Sequence, residues 1–132
     1  MGIRILLVDD HELVRRGIAE LLAAEPDLEI VGEAASVAEA LTRAAQVDAD
    51  VAVLDVRMPD GDGIALCRAL RARCPDLRCL VLTSDSRSRA DAITAGAAGF
   101  VLKQVVGMDL VDAVRTVGAG GPFLDGERVR DR

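Results

Sequence analysis

The sequence predicts an α/β domain, a doubly wound, five-stranded parallel sheet in three α/β/α layers. Three observations lead there. Five short apolar runs alternate with five stretches of helical periodicity, the pattern of repeated strand–helix units. The runs at 3–8 and 51–54 are apolar almost throughout, as strands covered on both faces are. The informative polar residues follow the ends of such runs, at the carboxyl edge where open parallel sheets hold ligands.

The first strand, Ile3–Val8, runs into Asp9, Asp10, His11 and Glu12. A helix over 13–24 follows, with Leu13, Val14, Gly17, Ile18, Leu21 and Leu22 at helical spacing and Arg15, Arg16 and Glu20 outward. Glu25-Pro26-Asp27 stops it. The second strand, Leu28–Ala34, is partly polar and reads as an edge or near-edge strand. Ser36, with Glu39 three residues on, is a capping-box signature. It opens a helix over Val37–Gln46 that buries Val37, Leu41 and one of Ala44 or Ala45.

The third strand, Val51–Asp55, ends on a carboxylate, and a Pro/Asp/Gly cluster closes the loop after it. Asp62 is placed to cap a helix over Gly63–Arg73, whose apolar stripe is Ile64, Leu66, Cys67 and Leu70. Pro75-Asp76 breaks that helix before the fourth strand, Arg78–Thr83. Residues 87–95 form the least apolar helix, with Ala90, Ile93 and Ala95 among its few apolar positions, and Gly96 suits its C-terminal cap. The fifth strand, Gly99–Leu102, leads to Lys103, and a last helix over 108–118 carries Leu110, Val111, Val114 and Val117. After Gly118 a Gly-Gly-Pro cluster and a charged stretch read as a linker or tail.

Composition narrows the function. A length of 132 residues with 51% hydrophobic content fits one domain with one core, filled by Val, Leu, Ile and Ala because aromatics are only 2%. A net charge of -6 disfavours nucleic-acid binding by this segment itself. No apolar run reaches the length of a membrane span and no leader precedes the first strand, so a cytoplasmic protein with no membrane partner is expected. Cys67, Cys74 and Cys79 lack zinc spacing, His11 is the single histidine, and small buried thiols are the simplest reading of the cysteines.

The chemistry lies at the strand ends. Asp9 and Asp10 follow the first strand, Asp55 ends the third, Thr83 ends the fourth and Lys103 follows the fifth. Carboxylates brought together repel unless a cation or a lysine offsets them. Hard oxygen donors of this kind suit Mg²⁺. An aspartate beside Mg²⁺, a lysine and a hydroxyl is equipped for in-line attack on phosphorus, giving an aspartyl-phosphate. A plain polar sheet edge explains any one of these residues but not the set. A nucleotide site is disfavoured, because the turn after the first strand is acidic and has no glycine.

Taken together with Met58-Pro59-Asp60-Gly61 and Gly96-Ala97-Ala98-Gly99-Phe100, these residues resemble a bacterial response-regulator receiver domain over about Ile3–Val117. The opening Val8-Asp9-Asp10-His11-Glu12-Leu13-Val14-Arg15-Arg16-Gly17 is similar to the subfamily whose output module is a LuxR-type helix-turn-helix. Within that subfamily, the stretches 53–61 and 75–80 are close to an actinobacterial dormancy (hypoxia) branch. The resemblance implies a flavodoxin-like (βα)5 receiver over 1–118 and a linker over 119–132 toward an output domain that this chain does not carry, as in a chain cut at the linker. It implies phosphorylation of Asp55 by a sensor histidine kinase, with Mg²⁺ held by Asp9, Asp10, Asp55 and the carbonyl of Arg57. Thr83 and Phe100 would be the switch residues and Lys103 the phosphoryl-binding cation. A homodimer through a receiver face is expected, with DNA reached only through the helix-turn-helix.

Three departures from the family pattern stand out. Phe100 replaces the commoner Tyr, so the aromatic switch lacks a phenolic hydroxyl, and Gln104 follows the lysine where many receivers have Pro. Arg57 and Asp85, each two residues beyond a site residue, are positioned to pair across the mouth of the site and gate attacking water. A non-phosphorylated pseudo-receiver that acts as a dimerisation or docking module is the alternative function. An Asp-nucleophile phosphatase is disfavoured, because Arg57 stands where its second aspartate is needed.

Overall fold

A computed structural model describes residues 2–102 and 106–124. The elements run β1 (Ile3–Val8), α1 (Glu12–Ala23), β2 (Leu28–Ala34), α2 (Val37–Gln46), β3 (Val51–Asp55), a two-residue ribbon of β4 (Arg57–Met58) and β5 (Gly61–Asp62), and α3 (Gly63–Arg73). They continue with β6 (Arg78–Thr83), α4 (Arg89–Thr94), β7 (Gly99–Leu102), α5 (Val106–Gly118) and β8 (Phe123–Leu124). The main sheet is parallel in the order β2-β1-β3-β6-β7-β8. The doubly wound α/β fold is therefore as expected. The strand order, which periodicity does not encode, puts β1 and β3 side by side inside the sheet.

Alternation along the central strands builds the layers. Ile5, Leu7, Val51, Val53, Leu80 and Leu82 face one side, where α1 and α5 cover them with Ile18, Leu22, Leu110, Val114 and Val117. Leu6, Val8, Ala52, Leu54 and Cys79 face the other, against Ala40 of α2 and Leu66, Cys67 and Leu70 of α3. Cys67 and Cys79 are thus buried core thiols, while Cys74 is half-buried. A smaller cluster of Val81, Ala92 and Phe100 sits under α4.

The structure corrects four details. Leu13 and Val14, expected inside, are 82% and 41% exposed, because α1 turns its buried stripe to Ile18 and Leu22 only. The fourth helix is shorter than 87–95: Ser86–Ser88 form a 3-10 turn and α4 keeps six residues, with Ala92 buried. In α2 the fully buried residue is Ala40, while Val37, Leu41 and Ala44 pack against the core from its margin. Inside the expected linker, Phe123–Leu124 add a sixth strand parallel to β7. Gly96 adopts φ +98° just beyond the C-cap Ala95, the conformation its position calls for. Among the described residues, no helix is long and apolar enough to cross a membrane.

The start of α2 is tied to a distant loop. Val37 and Ala38 donate their backbone N–H groups to the Asp60 carboxylate at 2.8 and 3.0 Å. Ser36 Oγ accepts from Glu39 N, so the first orphan donors of the helix are all met. Those backbone donors, Val37 first, hold the Asp60 carboxyl below the usual carboxylate range. A lowered folded-state pKa contributes stability above the unfolded value of about 3.9, and that contribution is lost as pH falls through the lower folded value. Urea midpoints followed from pH 6 downward should therefore fall less steeply below about pH 4 in Asp60→Asn than in the parent.

Gly63 opens α3 in direct contact with the strand it follows. Its N–H donates to Val56 O at 2.6 Å, and a Cβ there would overlap the carbonyl oxygen of Asp55. Gly17, on α1, has open space around it. Urea unfolding should show Gly63→Ala destabilised by about 1–3 kcal/mol. Gly17→Ala should be stabilised by about 0.5–1 kcal/mol.

Candidate functional site

The register of the sheet assembles the site. Val8 lies opposite Leu54 in the β1–β3 pair, so Asp9 and Asp55 emerge side by side where those strands end. Leu82 lies opposite Asp55 on β6, which puts Thr83 one residue further along the same edge. Asp9, Asp55 and Thr83 are the buried polar residues of the described chain. Lys103 follows Leu102 in sequence and lies outside the described residues, as does Gln104.

Asp9, Asp10, His11 and Asp55 each bring one ligand-type atom into a group in which all lie within 4.8 Å of one another. Asp9 Oδ1 accepts the His11 backbone N–H at 2.9 Å, which folds the acidic turn back on itself. His11 Nδ1 stands 3.1 Å from Asp10 Oδ1 and 3.6 Å from Asp9 Oδ1. The nearer contact lacks hydrogen-bond geometry, and Asp10 Oδ1 is a buried oxygen with no hydrogen-bond partner. Hard carboxylate oxygens, one of them without a donor, are the chemistry of a divalent-cation site, and the cluster is able to hold such an ion.

Arg15 braces this turn from α1. Its Nη1 donates to the Asp9 carbonyl at 2.7 Å, and its Nε pairs with Glu33 of β2 at 3.0 Å. The guanidinium thus spans two strand ends with one planar group.

At the other rim, Thr83 Oγ1 accepts the Asp85 N–H at 3.2 Å. The expected Arg57–Asp85 pair gives way to a local one. Asp85 accepts from both Arg87 N and Arg87 Nε, at 2.9 and 3.0 Å, because the 3-10 turn brings a guanidinium two residues away back over the carboxylate. That Arg87 contact holds the Asp85 carboxyl below its ordinary range, while Arg57 adds a weaker through-space pull. Phe100 is 1% exposed, packed inward with Val81 and Ala92.

Two residues at the site went unmarked by sequence reasoning, Arg15 as the brace and His11 as a member of the cluster. The signal for His11 was available. It occupies the N-cap of α1, where Ser, Thr, Asp or Asn is favoured, and its side chain makes no capping bond.

Comparison with known proteins agrees with this arrangement. Residues 5–115 match the family described as response regulator receiver domain. The chain is 58% identical over 125 residues to the DNA-binding transcriptional activator DevR/DosR of Mycobacterium tuberculosis, covering 93% of this chain and 58% of that protein. It is similar in structure to a LuxR-family two-component response regulator from Aurantimonas sp. SI85-9A1, at 32% identity and TM-score 0.92, over 98% of this chain and 94% of that one. It is likewise similar to the isolated receiver (REC) domain of RcsB from Salmonella enterica serovar Typhimurium, whose structure was solved with the phosphomimetic BeF3-. That match has 27% identity, TM-score 0.89 and 98% coverage of both chains. The chain thus spans less than two thirds of the length of DevR/DosR.

Removing the brace should be measurable. Arg15→Ala should lower unfolding free energy by about 1–2 kcal/mol in urea titrations. Arg15→Lys should recover less than half of that, since one ammonium does not reproduce both guanidinium contacts.

Proposed function

The chain belongs to the response regulator receiver domain family, and on that premise we propose that it works as a phosphorylation-dependent switch that accepts a phosphoryl group on Asp55 from a sensor histidine kinase. The observation that supports this most is the convergence of Asp9, Asp10 and Asp55, one oxygen from each within 4.8 Å, with Thr83 buried at the next strand end. RcsB, similar in fold, has a receiver studied with a phosphate mimic.

In this reading an Asp55 carboxylate oxygen forms a bond to phosphorus as the P–N bond of the donor phosphohistidine breaks. The imidazole leaves with the electron pair and takes up a proton. Asp9, Asp10, Asp55 and the Arg57 carbonyl would hold Mg²⁺. When bound, that ion offsets the negative charge that carboxylates and phosphoryl oxygens bring to one place. Lys103 would act on a phosphoryl oxygen in the same sense. The Thr83 hydroxyl, which now accepts from Asp85 N, would donate its own proton to another. Phe100 lies directly behind Ala92, so movement of Thr83 and the loop after it would be felt by α4. Partners would read that change on the face formed by α4, β7 and α5, a second copy of the receiver among them. DNA would be reached only through a helix-turn-helix output domain, as the description of DevR/DosR as a DNA-binding activator suggests for the whole protein.

The test is intact-mass and phosphate-affinity gel analysis of parent and Asp55→Asn after incubation with Mg²⁺ and acetyl phosphate. The parent should gain one phosphoryl group that is lost at alkaline pH, and Asp55→Asn none. A folded parent that binds Mg²⁺ yet stays unmodified would instead support a docking module that works without phosphorylation.

A further inference from the structure

We propose that His11 is a nitrogen ligand of the cation site, which makes it a mixed carboxylate–imidazole site that holds divalent transition ions, Mn²⁺ among them, more tightly relative to Mg²⁺ than oxygen donors alone would. The proposal rests on the cation-binding reading above and adds to it a ligand and a selectivity.

Four features of the structure point to His11. One ring nitrogen lies within 4.8 Å of an oxygen from each of Asp9, Asp10 and Asp55. An octahedral ion with bonds of about 2.1 Å sets opposite donors about 4.2 Å apart, so the group needs only small side-chain rotations to close on one ion. The nearest oxygen to His11 Nδ1 is Asp10 Oδ1, the buried atom with no hydrogen-bond partner. Two backbone bonds hold the imidazole's anchor in place. His11 N donates to Asp9 Oδ1, and His11 O accepts from Arg15 N at 2.8 Å.

The fourth feature is what His11 leaves undone. At an N-cap, a residue with a short oxygen side chain would satisfy an end N–H of α1, and His11 does not. Its ring, 67% exposed, has no apolar burial to explain its placement either, and it leans over the carboxylates instead. Oxygen donors alone suit Mg²⁺ and Mn²⁺ alike, whereas an imidazole nitrogen favours Mn²⁺ over Mg²⁺ and later first-row ions more strongly still. Adding one nitrogen to three carboxylates therefore changes which ion is held more than whether one is held. Because His11 is exposed and sits outside all three core clusters, its replacement leaves the sheet intact.

The experiment compares the parent with His11→Ala and with His11→Phe, which keeps a ring but removes the nitrogens. Mn²⁺ and Mg²⁺ affinities are measured by calorimetric titration. Nitrogen coupling to bound Mn²⁺ is read by electron spin-echo spectroscopy. Both variants should lose Mn²⁺ affinity by at least about tenfold, the scale at which even loss of an outer partner is felt. Their Mg²⁺ affinity should stay within about threefold, since Mg²⁺ depends on the oxygens. The parent should show a ¹⁴N modulation that neither variant shows. Unchanged Mn²⁺ affinity in both variants, with no ¹⁴N modulation in the parent, would overturn the assignment while leaving the carboxylate site standing. A parent that binds neither ion would overturn both.

Discussion

Everything at the carboxyl edge follows from a single pairing, the in-register contact of β1 with β3. Val8 opposite Leu54 means that the next residue of each strand is an aspartate, and both are buried. Two carboxylates placed in this way, with a third at Asp10, form an arrangement that water would normally screen and that burial does not. The sheet holds it because the strands behind it are almost wholly inaccessible, from Ile5 to Val8 and from Val51 to Leu54. Apolar burial along the strands thus offsets the electrostatic cost at their tips. A positive charge at the same place offsets that cost, which is the physical basis for both the cation site and the phosphoryl chemistry proposed for it.

The two sides of this edge differ in stiffness. On the side of α2 and α3, backbone contacts leave little room: Gly63 abuts the Asp55 carbonyl, Asp62 accepts from Ala65 N, and Asp60 holds the start of α2. Toward α4 the structure is looser. That helix has six residues and buries Ala92, and its approach is a 3-10 turn secured by the exposed Arg87–Asp85 pair. Segments that bury little apolar area open at low free energy. A perturbation at Asp55 therefore meets resistance on one side and compliance on the other, which gives the response a direction.

Much of this was legible in the sequence, and the reasons are local. Each long strand and helix showed its period, Ser36 and Asp62 announced the caps they form, and Gly96 marked the end of α4. The aspartates stood out because an apolar run that ends in a charge is uncommon without a cause. What escaped was set by three-dimensional packing. Leu13 and Val14 share the helical spacing of Ile18, but α1 buries only Ile18 and Leu22 and leaves its first turn to solvent, so spacing alone misplaced them. The pairing of Phe123–Leu124 with β7 needs the end of α5 to return beside the sheet, which no short-range signal states. Asp85 had two arginines available, and the nearer in sequence took it. Arg15 looked like a solvated helix residue until the fold set it against the Asp9 carbonyl.

The Asp60 carboxylate has a further implication for the loop that carries it. The loop is fastened at one end where Asp55 leaves β3 and at the other where Asp60 grips the first amides of α2. A tether fixed at both ends has a set contour length. One residue added or removed between them would slacken or overstretch the span, and either the aspartate at the sheet edge or the helix it anchors would have to give way. This short stretch therefore behaves as a spacer of defined length, in which substitutions are better tolerated than insertions or deletions.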